Sequence, residues 1–158
     1  QFAEKYLVLT EEIKNKKELK KLNSLTDTFV VGSDQVFRNS FLKKSFYLSL
    51  LTYTELFKKR VAFSASFGVT ENRANENQIP HIKRFLKRFD AISVREDSGV
   101  IICNETFGVK AEHIIDPVFL VDKSCFEDLL DSANFKYKNK LVAKNSTVAG
   151  FCNGAGGL

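Results

Sequence analysis

Apolar residues in this chain come in short unbroken blocks, separated by polar or amphipathic stretches. Thr28-Phe29-Val30-Val31 stops at Gly32; Arg60-Val61-Ala62-Phe63-Ser64, Ala91-Ile92-Ser93-Val94 and His113-Ile114-Ile115-Asp116 follow, the last halted by Pro117. β-branched and aromatic blocks of this length, apolar throughout, predict strands buried on both faces. Between them the period changes. Ile79, Ile82, Phe85, Leu86 and Phe89 recur at helical spacing and predict a helix from near Pro80 to Phe89, with the proline tolerated in the first turn. Glu96 to Phe107 reads as a second helix, weak at Ser98-Gly99 and capped by Gly108. Asn15 with Glu18, and Ser124 with Glu127, have capping-box spacing and predict helices reaching about Asn23 and Leu130. Tyr6 to Thr10 reads as extended and Glu71 to Gln78 as a loop, while Phe41 to Lys59 fits strand or helix equally. Strands alternating with helices predict an α/β fold: a Rossmann-like parallel sheet with helices on both faces.

Composition narrows the class. The chain has 158 residues, 44% apolar and 12% aromatic, enough for one buried core and against intrinsic disorder. No apolar run approaches the roughly 20 residues that cross a bilayer, and Gln1 to Tyr6 has no signal-peptide pattern. The chain opens at Gln1 and contains no Met, which favours a fragment over a processed protein. The net charge of +5 fits a mildly basic surface better than a dedicated anionic partner; no RNA-binding sheet motif accompanies it, so a nucleic-acid partner is not expected. Cys103, Cys125 and Cys152 are widely spaced and lie near neither His81 nor His113, so reduced buried thiols are expected and a metal site is not.

In an open parallel sheet, ligands bind beyond the carboxyl ends of the strands. The polar clusters fall at those points: Gly32-Ser33-Asp34-Gln35 after the first strand, Ser64-Ala65-Ser66-Phe67-Gly68 after the second, Arg95-Glu96 after the third, and Asp116-Pro117 after the fourth. Each also has a structural reading. Gly32 and Gly68 serve as turns, Ser33 or Asp34 as a helix cap, Ser64 and Ser66 as satisfied strand-end hydroxyls, Arg95 and Glu96 as rim ion pairs, and Asp116 as a strand terminator or cap. Singly none is specific. No GxxxxGK or GxGxxG loop occurs, and no Ser-His-Asp or Cys-His arrangement can be drawn.

Together, however, the four stretches Phe29–Phe37, Arg60–Gly68, Phe89–Gly99 and Ile115–Leu120 resemble the polysaccharide pyruvyl transferase family in order and spacing, over roughly residues 1–140. Phe37 stands where that family usually has Trp, and Phe63 where it has Tyr, which loses a phenol hydroxyl. The resemblance implies transfer of pyruvate from phosphoenolpyruvate onto two sugar hydroxyls as a ketal, in cell-surface polysaccharide assembly. It also implies two facing Rossmann-like domains of the GT-B kind. Residues 1–140 would then be an incomplete first domain, and 141–158, with its four glycines after Asn145, the start of a linker or second domain or a tail. On this reading the isolated piece is inactive.

The implied chemistry needs an acid, a base and cations. Arg95 is the candidate cation for phosphate or carboxylate, Asp34 the first candidate to deprotonate or orient the acceptor hydroxyl, and Glu96 the second. Gly32, Ser33, Gln35, Ser64, Ser66, Gly68 and Asp116 are the candidate substrate-binding positions. No cofactor or metal is implied beyond phosphoenolpyruvate as donor. The enzyme would be cytoplasmic, with a sugar or a lipid-linked oligosaccharide as acceptor, the latter drawing it to the inner face of the membrane. The competing readings are a GT-B glycosyltransferase using a nucleotide sugar and a non-catalytic carbohydrate-binding module.

Overall fold

The computed structural model describes residues 7–38, 44–72 and 74–132, which fall into two compact units, up to Leu120 and from Val121. The first unit is built on four parallel strands in sequence order: β1 (Thr28–Val31), β2 (Lys59–Ala65), β3 (Ala91–Val94) and β4 (Glu112–His113). Its helices are α1 (Lys16–Lys21), α2 (Lys44–Ser49), α3 (Ile79–Leu86) and α4 (Asp97–Ile101). The second unit, described by itself, contains α5 (Lys123–Ser132). No helix among the described residues is long and apolar enough to cross a membrane. The expected boundary near residue 140 lies outside the described residues.

Local chemistry sets the helix ends. Asn15 accepts from the N–H groups of Lys17 and Glu18, both at 3.0 Å, and Glu18 answers by accepting from Asn15 Nδ2 and the Lys14 N–H. The capping box is thus made, with its return bond one residue early. α1 then tightens into a 3₁₀ turn, Leu22–Ser24. Phe41 to Lys59, ambiguous in sequence, contains α2, whose Phe46 buries with the following Leu50. α3 stops at Leu86, short of Phe89. α4 widens into a π turn, Ile102–Thr106, and ends on the expected Gly108 (φ +58°), whose N–H donates to Asn104 O at 3.1 Å in an αL closure, while the Val109 N–H reaches back to Cys103 O at 3.0 Å.

Three expectations need correction. β4 pairs at Glu112 and His113, with the Ile114 N–H making the last bond to Val94 O (3.0 Å); Ile115 and Asp116 lie beyond the strand. α5 is capped by Asp122, which accepts from the Ser124 N–H (2.8 Å) and hydroxyl (2.6 Å); Ser124 is not the cap. Cys125 is exposed, whereas Cys103 is buried as expected, and Cys152 lies outside the described residues.

The core lies on one face of the sheet. Strands in sequence order joined by right-handed crossovers carry their helices on the same side. Phe46 and Leu50, Ile82 and Leu86 of α3, and Ile102, Cys103 and Phe107 accordingly form one buried cluster with Ala62, Ile92 and Val94. Phe37 joins it at 1% exposure, 5.4 Å from the Phe67 ring and edge-on to Phe89. The apolar Cys103 surroundings push its thiol up to about 12, far from a reactive thiolate. On the opposite face Val30 and Phe63 stand 62% and 37% exposed.

The amino-terminal end of the sheet is tied by Arg60, only 3% exposed. Its guanidinium donates to Thr54 Oγ1 (2.6 Å), Thr54 O, Glu55 O, Leu56 O and Arg88 O, while Asp90 Oδ2 accepts from its backbone N–H. The segment before β2 is thereby fastened to the end of the α3 region. Because Leu86 is 1% exposed in the shared cluster, Leu86→Ala should cost about 2–5 kcal/mol in urea denaturation, with an unchanged m-value.

Candidate functional site at the strand ends

Three strand ends and the loop after β4 meet at one rim. Beyond β1, the backbone continues alongside β2: the Ser66 N–H donates to Asp34 O (3.1 Å) and the Phe37 N–H to Ser66 O (3.0 Å). Gly32, at φ +133°, is what allows this approach, since a Cβ there would lie 1.9 Å from Phe63 O. Gly68, at φ +62°, leaves space taken by the Gln35 side chain, whose carboxamide oxygen accepts from Arg38 at 2.7 Å. Both glycines therefore shape the rim backbone, and Gln35 lies against it.

The centre is a guanidinium held between two carboxylates. Arg95 Nε donates to Glu96 Oε1 at 3.1 Å and Nη1 to Asp116 Oδ2 at 2.9 Å. Ser66 donates to the same Glu96 oxygen at 2.6 Å, and its own oxygen accepts the Gly68 N–H at 2.9 Å. Glu96 Oε2 is buried with no protein partner, so one lone-pair edge of this carboxylate is unused. Burial opposes the charge on Arg95, but hydrogen bonds to Glu96 and Asp116 outweigh it and hold the guanidinium above its ordinary value. Asp116 is held below the usual carboxylate range, first by the Val118 N–H and then by Arg95, with Ser33 adding less, against a counteracting burial effect.

The arrangement brings Arg95, Glu96, Asp116 and Ser66 into one bonded group, with Asp34 joined to it through the backbone. Asp34 itself is exposed, and its Oδ1 accepts from the adjacent Gln35 N–H at 2.7 Å. Ser64 and Ser66 are fully buried. The Ser66 hydroxyl is directed at Glu96 and that of Ser64 at the carbonyls of Ile114 and Ile115, so both act on their own chain in this structure. His113, passed over in the sequence, places Nδ1 2.9 Å from Asp97 Oδ1 and Nε2 3.1 Å from Arg95 O, bracing the turn that carries Arg95 and Glu96. Its place at the head of a strand was readable; its contacts with the next strand end were not. Among the described residues no three His, Cys, Asp or Glu side chains converge as a metal site.

A carboxyl depressed in the folded state contributes stability that is fully present above its unfolded value of about 3.9 and fades as pH falls through the folded value. The melting temperature of the parent protein should therefore fall more steeply than that of Asp116→Asn on acidification below about pH 4. Parallel acid limbs would show that Asp116 makes no such pair in solution.

No curated protein and no solved structure matches the chain. The family model described as polysaccharide pyruvyl transferase matches residues 3–150, nearly the whole sequence, and it spans all four rim segments. With its parallel α/β sheet and a polar group assembled at the strand ends, the chain belongs to the polysaccharide pyruvyl transferase family.

Proposed function

We propose that this chain carries part of the active site for moving a pyruvyl group from phosphoenolpyruvate onto two hydroxyls of a sugar, forming a ketal in cell-surface polysaccharide synthesis. The observation that carries the reading is the Arg95 guanidinium fixed between Glu96 and Asp116 at the carboxyl end of the sheet. A cation held by two partners is preorganised, so it loses little on meeting a transition state.

The reaction sets clear demands. The enol carbon of the donor takes a proton and becomes a methyl group, leaving an oxocarbenium-like centre. One sugar hydroxyl attacks that centre and gives up its proton. Phosphate then leaves with the donor's bridging oxygen, and the second hydroxyl closes the ketal as its proton passes to phosphate or a base. Asp34, exposed at the rim, suits deprotonation or orientation of an acceptor hydroxyl. Glu96, held by Arg95 and Ser66 through Oε1, is the second candidate for that role.

Charge suggests how the substrates divide. Of Asp34, Arg95, Glu96 and Asp116, three are acidic, and the Arg95 fork already serves two of them. Such a surface suits a hydroxyl-rich sugar better than a trianionic donor, whose phosphate calls for cations beyond this group. On this reading the acceptor lies mainly against this half and the donor reaches in from the facing half of a GT-B-like enzyme. A lipid-linked acceptor would bring a cytoplasmic enzyme to the inner membrane face.

The test uses the full-length protein with phosphoenolpyruvate and, separately, with nucleotide sugars. Acceptor-dependent phosphate release from phosphoenolpyruvate is expected, and Arg95→Ala should lower it by about a hundredfold or more with the fold intact. Near-normal turnover would remove Arg95 from the chemistry, and nucleotide release from a nucleotide sugar would replace the reaction class.

A further inference from the structure

The segment that delivers Asp116 takes an unusual course. β3 separates β2 from β4 in the sheet, yet the chain after β4 is bonded to β2. The Ile114 N–H donates to Val94 O at 3.0 Å, and the Ser64 hydroxyl then reaches Ile115 O at 3.0 Å and Ile114 O at 3.4 Å. One side chain thus draws the fourth segment back over the end of the third strand.

Ser64 sits where a serine is costly. It has φ +50°, a left-handed conformation that glycine adopts without strain. The β2–β3 register slips between Ala62 and Ala65, so the Ser64 N–H leaves the ladder. Ser93 repairs the gap, accepting that N–H at 2.9 Å and donating to Ala62 O at 3.0 Å. The backbone defect is therefore satisfied without the Ser64 hydroxyl. What a glycine could not supply is the bond to the segment bearing Asp116.

We infer that Ser64 is a positioning residue: its buried hydroxyl fixes Ile114–Asp116 over the sheet end and so holds Asp116 against Arg95. It touches no substrate. Its effect on turnover rests on the reading proposed above, whereas its effect on Asp116 does not.

Two measurements on full-length Ser64→Gly test the inference, because glycine relieves the backbone while deleting the hydroxyl. The first follows isotope-labelled aspartate carboxyls by NMR through an acid titration. The Asp116 resonance should titrate closer to the ordinary carboxylate value in the variant than in the parent. The second is steady-state turnover with phosphoenolpyruvate. kcat should fall by about tenfold to a hundredfold, the scale of a small misplacement in a preorganised site, while the melting temperature is kept or raised. Asp116→Asn should add little further loss in the double variant, since both act through one contact. An unchanged Asp116 titration overturns the inference, as does a rate loss that merely follows lost stability. If the parent shows no pyruvyl transfer, the reaction reading fails and the titration still decides the role of Ser64. Should Ser64→Gly not fold, Ser64→Cys, which keeps the side-chain shape and weakens the donor, is read in the same two ways.

Discussion

One guanidinium holds the rim of this domain together. Arg95 follows β3, Glu96 is its neighbour, and Asp116 arrives from beyond β4; the planar guanidinium fork engages both carboxylates at once through Nε and Nη1. A lysine would supply the charge without the fork. An exposed ion pair contributes little to stability, and all three side chains are partly open to water. The benefit is positional: two acids on different segments are given one common reference point.

The sheet makes that reference point possible. Parallel strands in sequence order present all their carboxyl ends along one edge, so each successive connection starts from the same rim. The helices press on the other part of each crossover, and the buried cluster around Ala62, Ile92 and Val94 fixes the strands beneath the site. At the opposite edge Arg60 performs a purely architectural task, bonded to carbonyl oxygens and one hydroxyl. Two arginines in one small unit thus have unlike duties, set by their acceptors: carboxylates at the rim, peptide carbonyls at the base.

Much of this was legible in the residues. β3 matches its predicted span, Asn15 caps as its side chain and spacing imply, and Gly108 ends the helix that the apolar period begins. The rim segments were visible as polar clusters because strands end where burial ends. Other features were hidden for physical reasons. Val30 and Phe63 are apolar but exposed, which their residue types do not announce. β4 was placed late because Ile114 and Ile115 look like strand while their carbonyls serve Ser64. Phe41 to Lys59 kept its ambiguity because its aromatic residues suit either period. The duties of Ser64, Ser66 and His113 depend on partners 16 to 51 residues away, which no local spacing encodes.

Cys103 lies at the heart of the shared cluster, fully enclosed, with its proton held far above neutrality. A thiol-directed reagent can reach it only after the α4 region lifts from the sheet, whereas Cys125 meets solvent directly. The molecule thus carries a built-in clock: the rate at which this sulfur becomes modified under native conditions reports how often the layer beneath the rim breathes.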